Sequence, residues 1–369
     1  MAAVVFYISG HGFGHAFRQI EIINALGAAP EAPRIVIRSA AADWLFARTV
    51  RAPYTLLPGA CDTGVVQVDS LRLDPSATIT EAAAFHRRMP ALARAEAAVL
   101  AHYDARLVIS DAPPLACAAA AEARIPSIVI SNFTWDWIYE GYPEARAAAP
   151  DLVPTLREAY GQAAAGWRLP MWGGFEPVPH CRDLPLVARH ARHEPEYVRR
   201  VLGLPARTPL VLSSFGGYGV QDLDLSMLDC TDGYGVVVSG RADRLRLPRG
   251  VHFADERLLY DKELRYEDLV AAVDIVLTKP GYGIISECIA NDTAMLYTSR
   301  GRFAEYDVLV REMPRYLRCG FIHHDDLFAG RWREALDRVI AMPAPPERPA
   351  TDGGLVAAVQ ILAQLGREP

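Results

Sequence analysis

A chain of 369 residues is too long for one ordinary domain and suits two of about 180 residues each. Apolar residues at 51% and charged residues at 22% describe large buried cores, which excludes a disordered or fibrous chain. A net charge of −6 argues against nucleic acid or an anionic membrane surface as the main partner. Six scattered cysteines (Cys61, Cys117, Cys181, Cys230, Cys288 and Cys319) form no C-x-x-C pair. They fit reduced thiols of a cytoplasmic protein, neither a disulfide framework nor a zinc site. The apolar N-terminal run has only a strand's length and no basic leader, so no signal peptide is expected. Nowhere is there the stretch of roughly 18 apolar residues that a transmembrane helix requires.

The first apolar run, Val4 to Ile8, is β-branched and aromatic, and reads as a strand buried on both faces. Gly10-His11-Gly12-Phe13-Gly14-His15 follows it, and Phe17, Ile20, Ile23, Asn24 and Leu26 then recur at helical spacing. Three glycines let the backbone turn sharply and approach a ligand. A helix N-terminus behind them offers free N–H groups to a phosphate or a developing anion. Two imidazoles in such a loop point to acid–base chemistry; the alternative is a plain turn whose histidines cap or pack. His11 and His15 are four apart, as metal ligands on a helix are, but the glycines argue against a helix there, and no metal site is expected.

Strand and helix patterns alternate from here on, as in a parallel α/β sheet. Strands are predicted at 34–38, 54–57, 107–110 and 127–131, with helices over 77–103 (interrupted at Pro90), 115–123 and 145–165. Pro170, Pro177, Pro179, Pro185 and the charged run 189–196 read as an interdomain connection. Strands then resume at 210–213, 235–239, 275–277, 295–297 and 318–322, with helices at 283–290, 332–340 and 355–365. The predicted organisation is a domain over 1–185, a linker over 186–207, a second domain over 208–345 and a tail helix within 346–369. Each domain is a Rossmann-like, doubly wound parallel sheet.

Ligands of such sheets collect at the carboxyl ends of the strands, where strand order reverses. In the order 3-2-1-4-5, the first and fourth strands are neighbours. His15 follows the first and Asp111 the fourth, so the two side chains are expected to meet. A carboxylate behind an imidazole fixes its tautomer and raises its basicity, as a base toward a hydroxyl requires. A helix cap ahead of Pro113-Pro114 is the other reading of Asp111. In the second half, Thr278-Lys279-Pro280-Gly281-Tyr282-Gly283 again leads from strand to helix, offering N–H groups to a diphosphate with Lys279 adding charge. Glu287, one turn further, is placed to reach ribose hydroxyls or to stand solvated on the helix. Phe215-Gly216-Gly217 follows that half's first strand. Base recognition is expected from the stretch 257–266, which reads as irregular.

These features resemble the GT-B glycosyltransferases, and most of all the glycosyltransferase-like N-terminal region of plant L-arabinokinase. The resemblance rests on Gly10-His11-Gly12-Phe13-Gly14-His15-Ala16, Ser110-Asp111, Ser131-Asn132-Phe133-Thr134-Trp135-Asp136, Phe215-Gly216-Gly217 and Lys279-Pro280-Gly281-Tyr282-Gly283. More distantly, the chain is similar to the bacterial N-acetylglucosaminyltransferase of cell-wall synthesis and to plant UDP-glycosyltransferases. The chain ends after the second sheet, so arabinose phosphorylation is not carried over.

The resemblance implies two Rossmann-like domains facing across a cleft, and inverting, metal-independent transfer from a nucleotide-diphosphate sugar to a small-molecule or glycan acceptor. No cofactor is implied beyond that co-substrate. His15 becomes the acceptor base and Asp111 its support. Gly12, Gly14, Phe215, Gly216, Gly217, Lys279, Gly281, Tyr282, Gly283, Glu287 and Glu305 fall on the donor side. His11, Phe13, Trp135 and Asp136 fall on the acceptor side, where Trp135 either packs on a sugar ring or fills the core. Three rival readings are a sugar-nucleotide epimerase, an NAD-dependent oxidoreductase and a non-catalytic nucleotide-sugar sensor. The oxidoreductase lacks the full glycine fingerprint and a placed acidic residue.

Overall fold

The computed structural model describes residues 2–216, 223–239 and 247–366. They form two compact units: Met1–Val66, Asp74–Ala188 and Ala350–Pro369 make the first, Gln67–Leu73 and Arg189–Pro349 the second. Relative to a cut near residue 186, a short loop of the first half joins the second unit, and the tail joins the first.

In chain order the first unit runs β1 (Ala3–Ile8), α1 (Phe13–Gly27), β2 (Arg34–Ser39), α2 (Asp43–Thr49), β3 (Tyr54–Pro58), α3 (Pro75–His86) and α4 (Met89–His102). It continues with β4 (Ala105–Asp111), α5 (Pro114–Ala123), β5 (Ser127–Phe133), α6 (Trp135–Glu140), α7 (Pro143–Ala148), α8 (Leu152–Gly161), β6 (Ala165–Gly173) and β7 (Cys181–Asp183). The strands form one parallel sheet of order β3-β2-β1-β4-β5-β6-β7. Every residue of β1 and β5 is buried, as befits strands covered by helices on both faces. Local chemistry starts the helices: Asp74 caps α3 by accepting from the Ala77 N–H at 2.9 Å, and prolines occupy the first turns of α3, α4 and α5.

Three expectations change here. The stretch read as one helix over 145–165 is the pair α7 and α8. The proline-dense stretch read as a connection supplies β6 and β7 instead. Pro170 is tolerated because it falls in an irregular interval: β6 pairs with β5 at Arg168 and again at Gly173, while its pairing with β7 ends at Arg168. A missing N–H there breaks no ladder bond. Finally, α1 starts at Phe13, so His15 stands in its first turn; Gly12, with φ 75°, completes the reversal alone.

The second unit holds α9 (Pro195–Val201), β8 (Leu210–Ser213), β9 (Gly235–Val238), β10 (Val251–Phe253), α10 (Glu256–Asp261), α11 (Tyr266–Ala272), β11 (Ile275–Thr278) and α12 (Tyr282–Ala290). Then follow β12 (Ala294–Tyr297), α13 (Tyr306–Glu312), β13 (Cys319–Phe321), α14 (His324–Phe328) and α15 (Arg333–Ile340). Its parallel sheet has the order β10-β9-β8-β11-β12-β13, with the reversal between β8 and β11. The stretch 257–266, expected to be irregular, carries most of α10.

The last helix, α16 (Gly353–Leu365), returns to the first unit and packs along α1. Ala357, Ala358 and Ile361 enter the same core as Ile20 and Ile23. Two glycines permit the approach: a Cβ on Gly353 would lie 2.3 Å from the Pro185 carbonyl oxygen, and one on Gly354 3.3 Å from that of Glu21.

One buried histidine gives the first unit a pH dependence. His86, at the end of α3, is 1% exposed, and neither ring nitrogen has a hydrogen-bond partner among the described residues. Burial pushes its pKa down to about 4 from the ordinary 6.5. The unfolded chain therefore takes up a proton below about 6.5, whereas the folded chain does so only near 4. Stability is full above that window and falls through it by about 3 kcal/mol. H86L is expected to raise Tm more at pH 5 than at pH 8, measured against the wild-type chain by thermal unfolding followed by circular dichroism. An equal gain at both pH values contradicts a neutral, buried His86.

Candidate active site

β1 and β4 are neighbours, and Ile8 pairs with Asp111 across them. The reversal at Gly12 then brings the first turn of α1 over the end of β4. His15 Nδ1 lies 3.2 Å from Asp111 Oδ1, with His15 6% exposed and Asp111 fully buried. The two side chains that the strand order predicts to meet do meet.

Arg18, one helical turn beyond His15, contacts both side chains. Its Nε donates to both Asp111 oxygens at 3.1 and 3.0 Å, and its Nη2 touches Oδ1. Nη1 donates to Asn132 Oδ1 at 2.8 Å and Nη2 to Ser131 Oγ at 3.2 Å. Asn132 in turn donates to the Pro170 carbonyl at 2.8 Å, which fixes its amide orientation. Burial pushes the Asp111 carboxyl upward, but the Arg18 charge and then His15 outweigh it and hold the group below the usual carboxylate range. Arg18 Nη2 is also 2.8 Å from His15 Nδ1. A guanidinium only donates, so the two contacts make opposite demands on Nδ1. A proton on Nδ1 given to Asp111 leaves the Nε2 lone pair available to a substrate; acceptance from Arg18 leaves the proton on Nε2.

A second carboxylate completes the group. Asp62, in the loop after β3, is 6% exposed; its Oδ1 accepts from Ser9 Oγ at 3.0 Å and its Oδ2 from Trp135 Nε1 at 2.7 Å. Burial pushes its pKa up to about 6, against the opposing pull of His15 and the two donors. Trp135 is 1% exposed and stacks on Tyr139 with centroids 5.5 Å apart; its ring lies 6.1 Å from that of His15 and 6.0 Å from that of His11. It is a core aromatic whose one polar atom anchors Asp62. His11 is held beside Gly64, where a Cβ would fall 2.4 Å from its ring.

Two further residues expected on the acceptor side, Asp136 and Phe13, have the following neighbours. Asp136 is fully buried in the first turn of α6, and its Oδ2 accepts from Arg157 Nε on α8 at 3.1 Å. Phe13 packs edge-on against Trp44, 5.8 Å between centroids. Arg18 and Asp62 were missed by sequence reasoning. Arg18 was legible only as a charge one helical turn from His15; Asp62 lies in no motif.

In the second unit, α12 begins at Tyr282 behind Gly281, with no side chain capping its first N–H groups. A Cβ on Gly281 or Gly216 would meet no described atom within 4 Å, and Gly216 requires its freedom at φ 77°. Gly283 is the second residue of α12, and Tyr282 is 8% exposed. Phe215 is buried, and its carbonyl accepts from Ser70 Oγ at 2.5 Å. Gly217 lies outside the described residues. Lys279 is half-buried at the end of β11; burial, with Arg300 adding to it and Glu305 opposing it, holds its ammonium well below the usual lysine range. Glu305 is 8% exposed and accepts from Arg300 Nη1 at 2.7 Å.

Glu287 is 4% exposed rather than solvated, and its Oε1 accepts from Arg189 Nε at 2.7 Å. Arg189 also pairs with Glu267 at 3.2 Å. The charged run read as linker thus enters the second unit through a buried arginine. Among the described residues, no three His, Cys, Asp or Glu side chains are grouped as a metal site requires.

Solved structures similar to this chain are glycosyltransferases. A calicheamicin glycosyltransferase matches with a TM-score of 0.65 over 99% of each chain, at 17% identity. A UDP-glucosyltransferase from Polygonum tinctorium, capable of glucosylating indoxyl, matches with a TM-score of 0.64 over 100% of this chain and 99% of that one, at 13% identity. The chain has the GT-B fold, as its sequence led us to expect. Among curated proteins it is similar to L-arabinokinase of Arabidopsis thaliana, 31% identical over 359 residues. That alignment takes in 95% of this chain, which spans only 33% of the length of that relative. No protein-family model matches the chain.

Proposed function

We propose that the chain is an inverting glycosyltransferase that moves a sugar from a nucleotide-diphosphate sugar to an acceptor hydroxyl on a small molecule or glycan. The observation that carries this reading is the buried contact of His15 with Asp111 at the carboxyl ends of β1 and β4. His15 Nε2 takes the hydroxyl proton as the acceptor oxygen bonds to C1 of the sugar. The bond from C1 to the diphosphate oxygen breaks, and its electron pair leaves with the diphosphate. Lys279, Arg300 and the uncapped first turn of α12 supply positive charge for that leaving group without a metal ion. A diphosphate at Lys279 would also draw a proton back onto its ammonium. His11 lines the acceptor side beside His15, with Trp135 buried behind both rings, and Glu305 reaches the donor through its place next to Lys279.

The fold of the solved relatives supports sugar transfer in general, and the similarity to L-arabinokinase is compatible with a sugar substrate. No helix among the described residues is long and apolar enough to cross a membrane, and all six cysteines are unpaired. We place the protein in the cytoplasm on the second of these points.

A thermal-shift screen over nucleotide diphosphates and their sugars tests the donor. One nucleotide series is expected to raise Tm, by an amount that grows with ligand concentration. A flat response across all series overturns the reading. Release of an altered free sugar without acceptor would identify an epimerase instead, and binding without turnover a sensor.

A further inference from the structure

Two carboxylates stand about His15, Asp111 in direct contact and Asp62 across the Trp135 indole, which donates to it and whose ring lies 6.1 Å from the imidazole, and they differ in what already balances them. Asp111 is matched by the Arg18 guanidinium, which takes both of its oxygens, so the pair presents little net charge to the imidazole. Among the described residues, Asp62 receives only neutral donors, Ser9 Oγ and Trp135 Nε1. Its other titratable neighbours are Cys61 in its own loop, Tyr139 on α6 and Tyr160 on α8. Burial raises all three of these groups, so each is neutral in the working range. His15 and Asp111 are the other ionisable groups that face it among the described residues.

We propose that Asp62 is the positioning residue that supplies the uncompensated negative charge stabilising His15 as it takes up a proton. Arg18 reserves Asp111 for orienting the ring. The inference rests on the base role given to His15 above and deepens it: the base is a four-residue unit of His15, Asp111, Arg18 and Asp62. The indole of Trp135 holds Asp62 in place, which accounts for a buried tryptophan with its N–H on a carboxylate within the Ser131–Asp136 motif. Asp62 acts only when ionised, and its pKa of about 6 therefore places a limb in the pH profile. Activity is lost as pH falls through that value.

The test is D62N, which keeps shape and hydrogen-bonding capacity but removes the charge. Ring 15N shifts of His15 report its ionisation without any need for turnover. At pH of about 6.5, the ratio of imidazolium to imidazole is expected to fall about tenfold or more. D62E is expected to restore most of it. W135F, which removes the indole donor that pulls the Asp62 carboxyl down, is expected to move the ratio in the same direction as D62N, because Asp62 then takes up a proton more readily. In turnover, D62N is expected to lose about 10- to 100-fold in kcat with an unchanged KM for the donor, and to lose the acid limb near 6. An unchanged His15 ratio in D62N overturns the inference and leaves the base reading standing. Full turnover by H15A overturns both. Should D62N not fold, the reciprocal measurement decides: by linkage, the Asp62 carboxyl 13C titration should move above about 6 in H15Q. No movement there overturns the inference.

Discussion

His15→Ala is expected to lower kcat by about 10²- to 10⁴-fold while the affinity for a nucleotide diphosphate stays unchanged. That range is what a positioned general base contributes. The residue lies in the first unit, whereas Lys279, Gly281 and Arg300 belong to the second. Loss of the imidazole therefore removes proton transfer without touching the groups assigned to the diphosphate. Single-turnover kinetics with the donor identified by thermal shift, together with a direct binding isotherm, separate the two quantities. Equal losses in binding and turnover would assign His15 to the donor site.

Arg18→Met is expected to be the most destabilising of the polar substitutions in the first unit. The methionine keeps the apolar stem in place and removes only the guanidinium. Asp111, with no exposed surface, is then a buried carboxylate without its cation, at a cost of about 3–5 kcal/mol. For a unit of this size that is a fall of roughly 10 °C in Tm. The pH dependence should invert in the acid range. With Arg18 present, Asp111 titrates below the usual carboxylate value, so its contribution is present above that value and lost on acidification. Without Arg18, burial raises the group, and protonation on acidification relieves the strain. The deficit of R18M should therefore shrink as pH falls, and R18M/D111N should recover much of the lost stability at neutral pH. A deficit independent of pH would mean that packing, not charge, is what Arg18 provides.

The fold was legible where the sequence states a period. Alternating runs marked most strands of both sheets, and the order they imply placed β1 beside β4 and so His15 beside Asp111. What was not legible was set by partners distant in the chain. Arg189 looks like part of a solvated connection, yet it is buried against Glu287, 98 residues further on. Glu287 was on the expected helix at the expected turn, but its carboxylate already meets that arginine. Asp62 has no local signature, because its meaning comes from Ser9 and Trp135, 53 and 73 residues away. β6 and β7 were hidden by prolines that are harmful in a regular ladder and harmless in an irregular one. Composition marks such a stretch as loop, and only the pairing reveals the strand.

The seating of α16 on α1 has a bearing on how the protein is made. The helix bearing His15 is translated well before the side chains that cover its back, Ala357, Ala358 and Ile361, with the second unit lying between them in the chain. The leading unit therefore cannot finish assembling before the whole trailing unit has been translated. Until then the stripe with Ile20 and Ile23 stays uncovered, an adhesive surface on every nascent or truncated copy. Chains cut before Gly353 should accordingly appear as chaperone clients or inclusion bodies, even though every residue assigned to chemistry is present in them.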